Sequence, residues 1–199
     1  MPQRSSLHVY LEWTKQRIDE MDATLASLES KAGQMSADSK AKAELLLAEL
    51  RKRRDEFKAN AQASEPALRA TQAQLETQWE GFEAQVKAYF ETTGKQVEQQ
   101  QATFRAVAAA QTKTWLEAAD QLQAEAMKVA VAKRADIDVA IKQLKVQAAE
   151  AEVQLQKLKQ VGGESWSALS AALAESRKTF GRASREAWDA VSRASTPKS

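Results

Sequence analysis

Cysteine is absent from this 199-residue chain, which excludes disulfides, thiolate zinc sites and a cysteine nucleophile. Glycine occurs six times and proline three times, so there is little material for loops. Histidine occurs once, as His8. A His–carboxylate di-iron bundle, which needs a Glu-x-x-His motif on each of two helices, is therefore excluded. Ser–His–Asp catalysis would have to recruit this one residue, and no nucleophile elbow surrounds any serine. Gly162-Gly163 is not followed by the Gly-Lys-Ser/Thr of a phosphate loop. No apolar run reaches the roughly 18 residues of a membrane span, and Met1–His8 has no continuous apolar stretch of the kind that a secretory leader carries. A cytoplasmic location is expected. An excess of one charge is also missing: 29 basic residues face 27 acidic ones, a net charge of +2, with the signs interspersed. Nucleic-acid binding is not expected from such a surface.

Large apolar side chains are scarce as well. The hydrophobic fraction is 43%, but alanine supplies nearly half of it. What is present instead is charge, at 28%, abundant glutamine, and few β-branched residues. This is the composition of long helices and coiled coils. A helical apolar stripe runs from Leu7 to Val191, with two strong interruptions, Ser64-Glu65-Pro66 and Gly162-Gly163.

The first segment opens with Ser5-Ser6 as N-caps. Its stripe reads Leu7, Leu11, Thr14, Ile18, Met21, Leu25, Leu28, Ala32, Met35. The steps alternate four and three, a heptad suited to left-handed pairing. Gly33 costs a helix about 1 kcal/mol against alanine, but the stripe continues through Ala43, Leu46, Leu50 and Phe57. A weakened turn is expected there, not a break. Arg51-Lys52-Arg53-Arg54, flanked by Glu49, Asp55 and Glu56, reads as a solvated, salt-bridged helix face.

Pro66 suits the first turn of a new helix, capped by Ser64 or Glu65. The stripe that follows includes Leu75, Trp79, Phe82, Val86, Phe90, Val97, Phe104, Val107, Trp115, Leu122, Val129, Ile137, Leu144 and Leu155. Many of its steps run four, four, three. That 11-residue repeat predicts a nearly straight or slightly right-handed helix. If it is unbroken, Pro66 to Gln160 spans roughly 140 Å at about 1.5 Å per residue. Thr92-Thr93-Gly94 is its weak point and a plausible kink. A fold at Gly94 or near Ala108-Ala109-Ala110 would turn the same sequence into a compact bundle. Trp79, Phe82, Phe90, Phe104 and Trp115 fall at helical spacing and are expected between helices.

Gly162-Gly163 ends that segment. The last helix starts near Glu164-Ser165 and carries Trp166, Leu169, Leu173, Phe180, Ala187, Trp188 and Val191, before a frayed tail from Ser195 to Ser199. Trp166, Phe180 and Trp188 either pack this helix onto the central one or anchor it on a surface. Arg177, Lys178, Arg182 and Arg185 make that helix basic, as helices lying on anionic lipid are. These seven residues are the candidate surface-binding set. His8 and Glu12 share a helix face, but two ligands alone make a poor metal site. Asp136 and Asp138 point to different faces and read as solvated. No catalytic residue, metal or cofactor is expected, and the chain does not read as an enzyme.

The run Gly163-Glu164-Ser165-Trp166, then Leu169, and later Ala187-Trp188-Asp189-Ala190-Val191, resembles a family of small bacterial coiled-coil stress-response proteins. The Ala/Glu/Lys/Arg-rich stretch from Lys40 to Lys58 looks similar too. The likeness covers about half the chain, and the segment from about Pro66 to Gln160 stands inserted between its parts. The period of that middle segment is similar to phasins and apolipoprotein-type helices.

The expected fold is thus all-α: elongated antiparallel helical hairpins or a coiled coil around one very long central helix. Its parts would be residues 1–63 (first long helix), 64–161 (central helix) and 162–199 (amphipathic helix and tail). The expected function is that of a structural or stress-associated coiled-coil protein acting through helix–helix contacts as a homo-oligomer. The alternative is a peripheral coat on a membrane, envelope or storage granule.

Overall fold

The computed structural model describes residues 3–62, 68–93, 97–160 and 165–195. Among these residues are six α-helices and no strand: α1 Gln3–Ala32, α2 Ala37–Asn60, α3 Leu68–Thr92, α4 Val97–Met127, α5 Ala135–Gln160 and α6 Trp166–Ser195. The all-α class stands, but the very long central helix does not. The longest element is α4, with 31 residues. Ser5 and Ser6 lie inside α1 and do not precede it. Ser64-Glu65-Pro66, Gly94, Gly162-Gly163, Glu164 and Thr196–Ser199 lie outside the described residues.

At Gly33 the helix ends, where only a weakened turn is expected from the stripe. Gln34 and Met35 donate their N–H groups to the carbonyls of Lys31 and Ala32 at 3.0 and 3.2 Å. Ser36 then becomes extended (φ −61°, ψ 157°) at the N-cap of α2, without a side-chain capping bond. A Cβ built on Gly33 meets nothing within 4 Å, so packing does not require glycine there. Its poor helix propensity, followed by Asp38 in the first turn of α2, makes this the cheapest place to stop and restart.

At 128–134 the apolar stripe continues but the helix does not. After α4 a single 3-10 turn spans Val131–Lys133. Arg134 folds back and donates Nε to the Val129 carbonyl (2.7 Å) and Nη2 to the Met127 carbonyl (2.5 Å). A cation thereby satisfies carbonyls left open at the end of α4, and Asp136 and Asp138 occupy the first turn of α5. Both arrangements complement helix dipoles. By contrast, α4 runs straight through Ala108-Ala109-Ala110. At the other end α3 stops at Thr92, where Thr93 Oγ1 donates to the Tyr89 carbonyl at 2.7 Å.

Contacts between side chains fix the directions. Arg51 meets Glu29 and Arg54 meets Asp22, so α1 and α2 form an antiparallel hairpin. Ser27 meets Thr103, and Thr114 donates to Asp19, which sets α4 antiparallel to α1. Lys145 reaches back to Gln123, so α5 returns along α4. Trp115 stacks on Phe180 and Gln111 donates to the Leu173 carbonyl, placing α6 parallel to α4. The helices alternate up and down, as two three-helix meanders, α1–α3 and α4–α6, joined through α1–α4 and α1–α6.

Each meander has its own apolar core. Met21, Leu25, Leu47, Leu50, Phe57 and Phe82 fill the first. Trp115, Leu122, Ile137, Leu144, Phe180 and Trp188 fill one end of the second, and Phe104, Leu155, Leu169 and Leu173 the other. Trp79, Phe82, Phe90, Phe104 and Trp115 are all buried between helices as their spacing predicts. The α1–α4 seam is different: Thr14, Thr24, Gln101, Thr103, Gln111 and Thr114 are buried in or beside it. Thr14 and Thr24 donate to the carbonyls of Tyr10 and Glu20, four residues back, and Thr114 donates to Asp19 across the seam, so burial does not leave their hydroxyls unpaired. In α5 the buried positions are Ile137, Ile141, Leu144, Ala148, Ala151 and Leu155. These steps alternate four and three, where an 11-residue repeat is expected.

If Arg134 is what closes α4, Arg134→Ala should cost about 1 kcal/mol of stability. The neighbouring Lys133→Ala should stay within about 0.5 kcal/mol. Thermal or urea unfolding of the two variants makes the comparison.

Candidate functional site

The seven residues singled out on the last helix gather along one seam, where α6 crosses α1 and approaches α3. Phe180, Arg177, Lys178, Arg182 and Arg185 line a groove of about 920 Å³ between these helices. Trp166 lines a smaller, mainly apolar recess of about 300 Å³ further along the seam. Trp79, Glu83, Ala174 and Arg177 belong to both. The two spaces are therefore neighbours on either side of the contact between Trp79 and Arg177.

Four charged groups occupy that contact. Glu20 of α1 is fully buried, and its Oε2 accepts from Arg177 Nε at 2.8 Å. Arg177, also buried, donates Nη1 to Glu83 of α3 at 3.0 Å. Arg17 brings Nη1 to 3.7 Å from Glu20. Its guanidinium lies 5.2 Å from the Trp13 ring centre and 4.9 Å from that of Trp79, while Arg177 lies 4.9 Å from Trp79. Arg17 Nε and Nη1 make no hydrogen bond. Aromatic faces and the Glu20 charge are what offset its desolvation, a cation–π contribution of about 2 kcal/mol in a dry site. Burial pushes Arg17 down to about 10, with the neighbouring Arg177 acting in the same direction and Glu20 against it. It is still a cation at neutral pH.

Glu12, one turn from His8, is the second tie. It accepts Trp188 Nε1 at 2.7 Å and the Ser184 hydroxyl. His8 stacks flat on Trp188, with centroids 4.1 Å apart and planes within 3°. The shared face of His8 and Glu12 thus serves to hold α6. Burial raises the Glu12 carboxyl above the usual glutamate range, and the hydrogen bonds from Ser184 and Trp188 pull the other way.

The anchoring trio has a structural placement in this closed bundle. Phe180 and Trp188 are buried. Trp166 is half-buried, with its ring 4.9 Å from that of Phe90. Lys178, Arg182 and Arg185 are exposed on the rim and enter no ion pair among the described residues. Arg51-Lys52-Arg53-Arg54 sits as expected, paired with Glu29, Glu56, Glu49, Asp22 and Asp55.

Sequence reasoning passed over Glu20, Glu83 and Arg17, which complete the site. Arg17 and Glu20 flank the predicted stripe position Ile18, and only the approach of α6 and α3 makes that side of α1 an interior. Among the described residues no group of three or more His, Asp or Glu is placed to hold a metal ion. Among the same residues no helix is long and apolar enough to cross a membrane.

Glu20→Gln would leave the Arg17 and Arg177 guanidiniums facing each other without their buried carboxylate. The expected loss is about 3–5 kcal/mol, and adding Arg17→Met should recover part of it, as a double-mutant cycle would record. Glu12 gives a pH signature. Its raised native pKa means that the folded state holds the proton more tightly than the unfolded one, so its contribution falls as pH climbs from the ordinary glutamate range through the raised value. Glu12→Gln removes that slope. Between about pH 4 and 7, urea titrations should show the variant gaining on the parent as pH rises.

No family model matches the chain, and neither a curated protein nor a solved structure is significantly similar to it.

Proposed function

We propose that this chain is a non-enzymatic structural protein, stress-associated in role and cytoplasmic, that acts through helix–helix contacts and associates with itself. The observation behind this reading is how the polar groups of the α1/α3/α6 groove are used. Glu12 is tied to Ser184 and Trp188, and Glu20 and Glu83 are tied to Arg177. What the groove offers is aromatic faces and helix surface, and where a hydroxyl meets a carboxylate, as Ser184 meets Glu12, the pair ties α6 to α1. Scarcity of large apolar residues alone does not force oligomerisation, since one copy buries Trp115, Tyr89, Phe57 and Phe82 within itself. Association should therefore add copies without adding helix.

The expected result of sedimentation velocity from nanomolar to high micromolar protein is a reversible rise in mass at constant helicity. A monomer throughout would overturn self-association. The runner-up is a peripheral coat, favoured by the exposed stripe Lys178, Arg182 and Arg185 on α6, which enters no ion pair among the described residues. In vesicle flotation the leading reading expects no binding to anionic or neutral lipid. Flotation with anionic vesicles that is lost in Lys178→Glu/Arg182→Glu/Arg185→Glu would favour the coat.

A further inference from the structure

The buried face of α5 leaves the opposite face unpartnered. At about 100° per residue, Val139, Val146 and Val153 project away from Ile137, Ile141, Leu144, Ala148, Ala151 and Leu155. They are 65, 46 and 53% exposed. Their spacing of seven residues keeps them on one line, whereas scattered surface valines would not repeat. Taking the valines as the first core position of a heptad puts Lys142, Ala149 and Gln156 at the second core position. Lys145 and Glu152 flank the line on one side, and Glu150 and Lys157 on the other.

We infer that this face of α5 binds a second copy of the chain, helix α5 against helix α5 in parallel register. The proposal rests on the self-association reading above and adds its surface and direction. The flanking charges carry the choice. In a parallel pair each flanking residue meets the one five positions on in the other helix, so Lys145 of one copy faces Glu150 of the other and Glu152 faces Lys157. Two-fold symmetry repeats both, giving four attractive pairs. An antiparallel pair overlapping α5 along its full length would instead oppose Lys145 to Lys145, Glu150 to Glu150 and Asp138 to Glu152, all repulsive. Shifting the partner by one heptad turns Lys145 to Glu152 and Glu150 to Lys157 but takes Val139 out of the seam. The seam is thin, because Lys142 and Gln156 contribute only their aliphatic stems. A weak dimer is the expectation, with a Kd in the micromolar range.

Because the chain has no cysteine, single cysteines report the register directly. Val139→Cys, Val146→Cys and Val153→Cys, each in the full chain and oxidised at high concentration, should each form a disulfide-linked dimer. Leu45→Cys, at an exposed position of α2 (75%), is the control and should stay monomeric. Cross-linking at only one of the three valine positions would indicate antiparallel pairing and overturn the proposal. So would cross-linking of the Leu45 control as readily as the valine positions. In sedimentation, Lys145→Glu should weaken the dimer about tenfold, and Lys145→Glu with Glu150→Lys should restore it. A protein that dimerises without linking at any of the three positions would overturn this surface while leaving self-association standing. A strict monomer would overturn both.

Discussion

The buried pair of Glu20 and Arg177 is the constraint around which the helices are arranged. Burying a carboxylate costs several kcal/mol, recovered only if a cation meets it in good geometry. Here that cation comes from the last helix and the carboxylate from the first. Sliding α6 by one turn would move the guanidinium by about 5.4 Å and break the pair outright. The ring of Trp79 and the carboxylate of Glu83 bring α3 into the same arrangement. One cluster thus sets the relative heights of three helices, where apolar surfaces alone would tolerate sliding.

The rest of the seam follows the same logic in weaker form. Two meanders with apolar cores meet across threonines, glutamines and small residues. Threonines bonded to their own helices present methyl groups without orphaned hydroxyls. Glu12, with Trp188 and Ser184, adds a second fixed point further along α6. This division explains an open groove in a well-packed bundle. The cores are filled largely within each meander, and an apolar contact between α3 and α6 comes at the Trp166 end, where its ring meets Phe90.

Much of this was legible in the residues. The helical class, the burial of Trp79, Phe82, Phe90, Phe104 and Trp115, and the paired basic run Arg51–Arg54 follow from periodicity and local charge. The reading failed where the stripe outlived the helix. Between Met127 and Ala135 the apolar spacing continues through Val129, because a residue can stay on the core side of a turn. The better signal was Arg134 followed by Asp136 and Asp138, cation then anions, the charge order of one helix end and the next start. Gly33 followed by Ser36 and Asp38 was the same kind of mark. Tyr10 and Tyr89, both buried, escaped a stripe fitted with too strict a period, and Leu11, assigned to it, is exposed.

By itself the sequence determined that the chain is helical, free of disulfides and thiolate sites, and lined by narrow apolar faces, since these depend only on residue type and local period. Only the tertiary structure decided where the central helix ends and which polar residues become interior. Whether Glu20 is a solvated acid or the buried partner of Arg177 depends on a helix 157 positions away. No local pattern encodes that distance. The same holds for α5: its valines read as part of a polar helix until the packing of Ile137, Leu144 and Leu155 shows which side is left bare.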